Sequence, residues 1–328
     1  MKVLVTGGTG FIGSHLARAL LARGHSVRLM GREFSRVGGV VEAGAEPIKA
    51  DLRDREAVLA ACKDAEAVCH VGALSAPWGS WDDFQAINVQ GTRHVLEACK
   101  AQKVRRLVHV SSPAVIFDGG DQFNLPDEVP YPSRLTSHYA ATKKLAEEAV
   151  LRARGDLEVI AIRPKAVYGE GDTSLLPRLI DAARAGRLPQ IGDGQNRVDL
   201  SHVDDVVRAL VLALERPLPE TNFPVYTVTG GQSVLLWETI REVLERLKVP
   251  NKLRRVPLEV ILPAAALMEF ASRFTGREPR ITRYSALILA RHQTYDISRA
   301  KADLGYTPRV TLEEGLERTV AALKAGSG

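Results

Sequence analysis

The sequence predicts an α/β protein, in which a doubly wound parallel sheet is joined to a smaller, mostly helical second domain. Three observations predict this class. A glycine-rich turn, T-G-G-T-G-F-I-G, occupies Thr6–Gly13 close to the first residue. Strand and helix patterns then alternate through the first half of the chain, which favours a parallel sheet with helices on both faces. Further on, Ser112 follows an apolar strand, and Tyr139 and Lys143 form a Y-x-x-x-K pair.

The first strand, turn and helix predict a dinucleotide site. An apolar run over Met1–Val5 leads into the glycines, and an apolar-periodic helix from Phe11 to Leu21 follows. The first glycine allows the turn, the second lets the backbone approach a pyrophosphate, and the third allows helix and strand to pack closely. The helix N-terminus offers unpaired N–H groups to the phosphates. The candidate residues here are Gly7, Gly10, Phe11, Ile12 and Gly13.

The second strand, His25–Met30, bears on the choice between NAD and NADP. It ends at Gly31-Arg32, where sites that prefer NAD usually place a carboxylate against the ribose. Arg32 can instead pair with a 2′-phosphate, so NADP is preferred over NAD, although an exposed surface arginine is the alternative. Asp51 and Leu52 follow the apolar run Ala45–Ala50 and are expected near the adenine. The alternative for Asp51 is a helix cap.

The later strands place further candidates on the same edge. The predicted buried strands are Ala67–Gly72, Arg106–Ser111 and Leu157–Ile162, and the predicted helices are Asp54–Cys62, Trp81–Ala101 and His138–Ala153. Ligands of such sheets bind beyond the carboxyl ends of the strands. Gly72-Ala73, Ser111-Ser112 and Arg163-Pro164 should therefore face one crevice, with Pro164 possible also as a simple strand terminator. Asn88 either orders backbone near the site or is an ordinary helix residue.

Ser112, Tyr139 and Lys143 are the candidate catalytic residues. Thr136 or Ser137 can cap the helix that carries the pair, and a spacing of four places both side chains on one face, about 5–6 Å apart at Cβ. A phenol titrates near pH ~10, so we expect the ammonium group and a positive nicotinamide ring to favour its phenolate. Ser112 would hold the same substrate oxygen. The Y-x-x-x-K spacing is common by chance, and the glycine turn and the serine pair are what make it informative.

Composition narrows the class further. The 328 residues are 45% hydrophobic and 25% charged, which is typical of a globular protein of about two domains. Cys62, Cys69 and Cys99 show no metal-ligand spacing, so no metal is expected. The net charge of +5 is scattered, which argues against a nucleic-acid partner. No signal peptide or membrane span is expected, and we predict a cytoplasmic protein with a frayed end at 326–328.

At this point the chain resembles the extended short-chain dehydrogenases/reductases. The strings that carry the resemblance are V-T-G-G-T-G-F-I-G-S-H-L at the start, N-V-Q-G-T-R-H-V-L-E-A-C at 88–99, Y-A-A-T-K-K-L-A-E at 139–147, R-P-K-A-V-Y-G-E-G-D at 163–172 and H-V-D-D-V at 202–206. The resemblance implies a Rossmann domain over 1–165 and about 196–222, and a substrate domain over about 166–195 and 223–328. It also implies that Ser112, Tyr139 and Lys143 are the triad, that Lys143 holds the nicotinamide ribose, and that the protein is a homodimer.

Within that superfamily, the strings at 73–79, 111–119 and 192–200 look like those of the 3β-hydroxysteroid dehydrogenase-like branch, which includes sterol-4-carboxylate dehydrogenases and β-keto acid reductases. Nucleotide-sugar enzymes typically carry an arginine directly before the aspartate at 199. Here Val198 takes that place and Arg197 is displaced by one residue. In a strand this shift turns the side chain to the opposite face, which argues against a diphosphate clamp unless a bulge intervenes.

The segment Val256–Phe274 is apolar but is interrupted by prolines and too short to cross a bilayer. A buried core helix is the favoured interpretation, and a lid over an apolar substrate is the second. We therefore expect an NAD(P)-dependent oxidoreductase that interconverts a secondary alcohol and a ketone on a small hydrophobic substrate, such as a steroid or a 2-alkyl-β-keto acid. A nucleotide-sugar epimerase with retained NAD is the alternative, and a non-catalytic cofactor sensor is a third interpretation.

Overall fold

The computed structural model describes residues 1–218 and 220–325, so the expected frayed end at 326–328 lies outside the described residues. The strands, in chain order, are β1 (Lys2–Thr6), β2 (Ser26–Gly31), β3 (Glu46–Lys49), β4 (Ala67–His70), β5 (Arg106–Val110), β6 (Gln122–Leu125), β7 (Glu158–Pro164), β8 (Val167–Tyr168), β9 (Gln190–Ile191), β10 (Arg197–Asp199), β11 (Ser201–His202), β12 (Val225–Val228), β13 (Ser233–Leu235), β14 (Arg255–Val256) and β15 (Gln293–Tyr295).

The α-helices, in chain order, are α1 (Phe11–Ala22), α2 (Gly38–Glu42), α3 (Arg55–Ala61), α4 (Trp81–Phe84), α5 (Gly91–Ala101), α6 (His138–Arg152), α7 (Leu176–Arg184), α8 (Val203–Glu215), α9 (Leu236–Arg246), α10 (Leu258–Thr275), α11 (Arg283–Ala290), α12 (Ser298–Leu304) and α13 (Leu312–Ala325). Short 3₁₀ turns occupy Ser35–Val37 and Pro113–Ile116. A π-helical turn, Gln85–Gln90, joins α4 to α5. The predicted helix Trp81–Ala101 is therefore present, with one widened turn in its middle.

Within the described residues, seven strands form one sheet in the order β12-β7-β5-β4-β1-β2-β3. Every neighbouring pair in it is parallel. The predicted Rossmann α/β class is thus confirmed. The strand order reverses between β1 and β4, and such a switch point opens a crevice beyond the carboxyl ends of the two strands.

Helices cover both faces of this sheet, which explains why its strands are apolar throughout. One core joins the sheet to α1 and α8 through residues such as Leu16 and Leu210. The other core joins the opposite face to α3 and α5 through residues such as Val58 and Val95. All four side chains are 0% exposed. The sheet is therefore held rigidly between two helical layers, and its edge can position side chains accurately.

The strand pairing cuts across the sequence-based division into two domains. Val225–Val228, which we had assigned to the substrate domain, is the seventh strand of the main sheet. Conversely, Gln122–Leu125 and Arg197–Asp199 belong to a smaller sheet in the order β13-β10-β15-β6. The reason is that strand pairing joins segments far apart in the chain, and short strands carry no periodic signal of their partner. In other respects the two-domain division stays a prediction.

Helix α10 corrects the favoured interpretation of the apolar segment near 256–274. Its apolar residues are largely exposed: Val260 by 59%, Leu267 by 69%, Phe270 by 57% and Phe274 by 77%. The buried-core interpretation is therefore wrong, because only one narrow side of the helix packs inward. Among the helices of the described ranges, none combines the length and apolarity needed to cross a bilayer.

Candidate active site

The glycine turn after β1 is packed so tightly that only glycine fits at two positions. Gly7 has φ +64°, and a Cβ there would lie 2.4 Å from the Cα of Gly72. A Cβ on Gly13 would lie 2.2 Å from the carbonyl oxygen of Gly7. The turn is thereby held against the end of β4, at the switch point of the sheet. This agrees with the jobs expected for the first and third glycines.

The N-terminus of α1 is left open toward the crevice. Gly10 is its N-cap, and no side chain caps the helix there. The N–H of Gly10 donates to the carbonyl of Gly7 at 3.0 Å. The N–H groups of Phe11 and Ile12 have no intrahelical acceptors, because they lie in the first turn of the helix. Together with the helix dipole these groups suit a phosphate. The residues present therefore fit a dinucleotide pyrophosphate.

A single crevice brings together every site residue predicted from the sequence. It has a volume of about 740 Å³ and runs from the glycine turn across the carboxyl ends of the main strands. The predicted residues that line it are Gly7, Gly10, Phe11, Ile12, Gly13, Arg32, Asp51, Leu52, Gly72, Ala73, Ser112, Tyr139, Lys143 and Pro164. The crevice is continuous between the expected cofactor end and the expected catalytic end. Which of these residues contact a ligand stays a prediction.

The end of the crevice beyond β2 carries Arg32 and Asp51. Arg32 is exposed there and follows directly on β2. Asp51 accepts two side-chain hydrogen bonds from Arg53, at 2.7 and 3.0 Å, and this pairing lowers its pKa to about 2. The cap of α3 is Asp54, not Asp51, since Asp54 accepts the N–H of Ala57. Asp51 is therefore an ionised side chain on the crevice wall.

Ser112 and Tyr139 meet at the middle of the crevice. Ser112 follows β5 and accepts the N–H of Ala114 at 3.2 Å, which fixes its hydroxyl at the start of a 3₁₀ turn. Ser137 caps α6 by accepting the N–H of Ala140 at 3.1 Å, and Tyr139 lies in the first turn of that helix. The hydroxyl groups of Ser112 and Ser75 lie close enough to that of Tyr139 to lower its pKa. Two hydroxyl groups that can share one substrate oxygen thus lie side by side.

The pKa of Tyr139 corrects one expectation. Burial raises this pKa above the ordinary value, and the neighbouring hydroxyl groups of Ser112 and Ser75 offset only part of that effect. The Lys143 ammonium lies elsewhere: its Nζ donates to the carbonyl oxygen of Val110 at 2.6 Å. In the protein alone, desolvation therefore outweighs the expected lowering by lysine. Burial also lowers the pKa of Lys143 to about 8.

A pair of buried histidines links Lys143 to the glycine turn, and the sequence analysis missed it. Lys143 Nζ lies 3.5 Å from Nε2 of His109, whose ring is 5.2 Å from that of His70. His70 in turn hydrogen bonds Thr6 Oγ1 at 2.7 Å and Thr92 Oγ1 at 2.9 Å. Burial lowers both histidine pKa values, that of His70 to about 3, so the rings are neutral. A usable signal was that two neighbouring strands each carry a histidine shortly before their carboxyl ends.

Glu147 and Arg163 form a second support that the sequence analysis missed. Arg163 donates to Glu147 through Nε at 2.9 Å and Nη2 at 2.5 Å, and Tyr131 donates to the same carboxylate at 2.7 Å. This ties α6 to the end of β7. The signal was spacing, because residues 139, 143 and 147 recur every four positions along one helix face.

Asn88 orders the loop beside the site, as one of its two interpretations proposed. Its side chain accepts the N–H of Leu74 at 2.7 Å and donates to the carbonyl of Leu74 at 3.1 Å. It also donates to Thr142 Oγ1 on α6 at 3.1 Å. Asn88 lies in the π-helical turn, and such turns are frequent at functional sites. The loop that carries Ala73 and Ser75 is thereby held against α6.

The far end of the crevice, beyond Ser112 and Tyr139, combines apolar with polar side chains. Phe117, Leu175 and Ile288 line it, together with Lys165 and Tyr284. Helix α11 supplies Ile288 and Tyr284, whereas no residue of α10 lines the crevice, so α10 is not a lid in this structure.

Two further predictions from the sequence were that the chain has no arginine clamp for a diphosphate and no metal site. Arg197 is exposed and does not line the crevice, while Val198 beside it is buried, in agreement with the argument against a diphosphate clamp. Among the described residues, no group of side chains could hold a metal ion, and the three cysteines are free and buried.

This sheet, with a glycine turn at its switch point and paired serine and tyrosine hydroxyls in the same crevice, defines a nicotinamide-dependent oxidoreductase that acts on a hydroxyl or keto group. Comparison with known proteins agrees. The family model described as "NAD dependent epimerase/dehydratase family" matches residues 3–228. The chain belongs to this family.

Named relatives fall within the branch suggested by the local strings. The chain is 37% identical to the 2-alkyl-3-oxoalkanoate reductase of Stenotrophomonas maltophilia, over 99% of this chain and 100% of the relative. It is 31% identical to the human decarboxylating sterol-4-alpha-carboxylate 3-dehydrogenase, over 98% of this chain and 88% of the relative. Among solved structures, MoeE5 in complex with UDP-glucose and NAD is 27% identical and superposes with a TM-score of 0.77, covering 100% of both chains.

Proposed function

We propose that this chain is an NAD(P)-dependent reductase or dehydrogenase that interconverts a ketone and a secondary alcohol on a hydrophobic substrate, of the steroid or 2-alkyl-β-keto acid class. One observation carries the proposal: the hydroxyl groups of Ser112 and Tyr139 adjoin each other at the carboxyl edge of the sheet, in the crevice that begins at the glycine turn. Oxidation of a β-hydroxy acid at its hydroxyl-bearing carbon gives a β-keto acid, which can then lose CO₂.

In this proposal each side chain has a separate task. Ser112 holds the substrate oxygen by hydrogen bonding, and Tyr139 exchanges a proton with the same oxygen. Lys143 holds the nicotinamide ribose from a position set by Val110 and His109. The nicotinamide, when bound, supplies or accepts the hydride. Its positive charge in the oxidised form would favour the phenolate of Tyr139 and so counter the effect of burial.

We also propose that NADP is preferred over NAD. Arg32 is exposed at the end of β2, with room to pair with a 2′-phosphate. The neighbouring carboxylate, Glu33, accepts the N–H groups of Phe34 and Ser35 at 2.7 and 2.8 Å and does not line the crevice. Glu33 is therefore turned away from a ribose diol, and Asp51, the carboxylate that does line the crevice here, is engaged by Arg53.

The proposed substrate class rests on the chemistry of the far end. An apolar wall of Phe117, Leu175 and Ile288 suits an alkyl chain or steroid better than a sugar. A nucleotide-sugar epimerase is less supported, because Arg197 faces solvent and offers no clamp to a diphosphate. Two relatives are named for an oxoalkanoate and a sterol carboxylate, which supports the same class.

Reduced-nicotinamide absorbance tests the proposal directly. The protein is incubated with NADPH or NADH and, separately, a 2-alkyl-β-keto acid, a 3-ketosteroid and a UDP-hexose. We expect consumption with one of the first two. The UDP-hexose is analysed for its epimer by chromatography, because epimerisation with retained NAD consumes no reduced cofactor. Epimerisation of the UDP-hexose, with no turnover of the other two substrates, would overturn the proposal. Cofactor binding without turnover of any of the three substrates would favour the sensor interpretation.

Two further expectations stay proposals. The resemblance to short-chain dehydrogenases/reductases supports a homodimer, which light scattering on the purified protein would test. A cytoplasmic location would be tested by cell fractionation.

A further inference from the structure

Lys165 is a buried cation that has no part in the proposed hydride transfer, proton transfer or cofactor binding. It directly follows Pro164, the last residue of β7, and it is 8% exposed. Its backbone is held on both sides, since its N–H donates to Val228 and its carbonyl accepts from Ser201. Its side chain lines the crevice. A buried lysine in the lining of a crevice is unusual, because burying a charge is costly unless it is paired.

The position of Lys165 relative to the two hydroxyl groups follows from strand register. Val110 of β5 pairs with Ile162 of β7, and the N–H of Ser111 donates to the carbonyl of Ile162 at 2.7 Å. Ser112 and Lys165 therefore leave neighbouring strands at the same edge. Such strands lie about 4.8 Å apart. Both residues line the same crevice.

The ammonium group has one hydrogen-bond acceptor among the described residues. Lys165 Nζ donates to Gln293 Oε1 at 2.5 Å, and Gln293 is itself held because its amide donates to the carbonyl of Ile288 at 3.1 Å. An ammonium has three donors, so two are left over. The carboxylate that acts on it electrostatically is Asp199, but the two form no ion pair within the described part of the chain, and Asp199 Oδ2 already accepts the N–H of Tyr295. The cation is thus aimed by a neutral amide and lacks a direct counter-ion.

The cofactor phosphates do not account for this charge. Their candidate binding groups are the N–H donors of α1 beside Gly10, which follow β1, whereas Lys165 follows β7. Two strands, β4 and β5, lie between β1 and β7. Among the crevice-lining residues that follow β7 in the described chain, Lys165 alone carries a charge. An anion that pairs with Lys165 would therefore come from the substrate.

We propose that Lys165, aimed by Gln293, binds the carboxylate of a 3-oxo or 3-hydroxy acid whose C3 oxygen is held by Ser112 and Tyr139. In such an acid the carboxylate carbon lies two bonds from C3, so both groups reach the same edge of the sheet. This inference rests on the proposed function and deepens it by naming the group that selects the substrate. An acid should accordingly be preferred over its uncharged ester of the same shape.

The test uses a 2-alkyl-3-hydroxy acid and its methyl ester. A 3-hydroxy acid is chosen because, unlike a 3-oxo acid, it does not lose CO₂ spontaneously in solution. The quantity compared is the ratio of kcat/KM for acid to kcat/KM for ester, measured with oxidised cofactor. A charge-assisted hydrogen bond corresponds to roughly 10–100-fold in this ratio. We expect Lys165→Met to remove that preference through the KM of the acid while leaving the ester within about 3-fold. Lys165→Arg should retain the preference.

Lys100→Met is the matched control, since Lys100 is an exposed lysine paired with Asp156. It should leave the ratio unchanged. Equal use of acid and ester by the unaltered enzyme would overturn the inference while leaving the proposed function intact. So would an equal loss of both activities in a folded Lys165→Met variant. Turnover of neither compound, nor of the corresponding ketone, would instead contradict the proposed function. If Lys165→Met does not fold, the neutral Lys165→Gln decides by the same ratio.

Discussion

Arg163 and Glu147 form an ion pair joined by two hydrogen bonds, and both side chains are 0% exposed. The pair connects β7, which leads to Lys165, with α6, which carries Tyr139. Asp127 accepts a further hydrogen bond from Arg163 through its carbonyl oxygen at 2.9 Å. The two elements that would bind the carboxylate and the C3 oxygen of the substrate are thus joined to each other.

Glu147→Gln should destabilise the fold strongly. The substitution leaves the Arg163 charge buried without its counter-ion, which costs about 3–5 kcal/mol in such pairs. Urea unfolding measures this free energy. Glu148→Gln is the control, because Glu148 is partly exposed and its ion pairs with Lys144 and Arg152 should contribute no more than about 1 kcal/mol. A similar small loss for both variants would contradict the structural role of the pair.

Tyr139→Phe should lower kcat by at least ~10²-fold and leave cofactor affinity unchanged. The ring still fills its place, but the group that exchanges a proton with the substrate oxygen is gone. Stopped-flow turnover and cofactor titration separate the two effects. Tyr226→Phe serves as the control, since that hydroxyl donates to Asp303 and lies outside the crevice. Retained activity in Tyr139→Phe would remove the residue from the mechanism.

Arg32→Ala should reduce the preference for NADPH over NADH. The guanidinium is the charged group beyond β2 that can pair with a 2′-phosphate, and NADH lacks that phosphate. Dissociation constants for both cofactors, in the unaltered protein and the variant, give the ratio. We expect the affinity for NADPH to fall about 10-fold or more, while the affinity for NADH changes little. An unchanged ratio would exclude Arg32 from cofactor choice.

The preference for acid over ester should fall as the pH rises through about 8. Burial lowers the pKa of Lys165 to about 8, so its ammonium is present below that pH and lost above it. The substrate carboxylate stays ionised throughout. Of the groups near Lys165, Asp199 titrates at about 6, and the pKa values of Tyr139, Tyr284 and Tyr295 are raised above the ordinary value.

Burial lowers the pKa of Lys143 to about 8 as well, but Lys143 acts on acid and ester alike, so the ratio cancels its effect. The profile of kcat/KM reports the enzyme before it binds the acid or the ester. A ratio that stays flat from pH 7 to 9 would contradict the assignment of the ammonium group to Lys165.

The sequence led to the main sheet and to the grouping of the site residues for one physical reason. Parallel strands buried on both faces are continuous apolar runs, and their carboxyl ends share one edge. Predicted strands that end at Val5, Ser111 and Ile162, each within two residues of the observed ends, were therefore enough to bring Gly7, Ser112 and their neighbours into one crevice.

Other features depended on side-chain directions that no local pattern encodes. Lys143 reaches Val110 and His109, so the expected lowering of the Tyr139 pKa by lysine is absent. Helix α10 carries an apolar pattern yet exposes it, because which face of a helix packs inward depends on its neighbours.

The sequence alone predicted a Rossmann oxidoreductase with Ser112, Tyr139 and Lys143 as its candidate catalytic residues. It could do so because the spacing along one helix and the end of one strand determine where these three residues lie. Tertiary structure alone decided that Lys165 is a buried cation held by Gln293, 128 positions away in the chain. Contacts over such separations arise when distant segments pack together, and neither residue carries a local signal of the other.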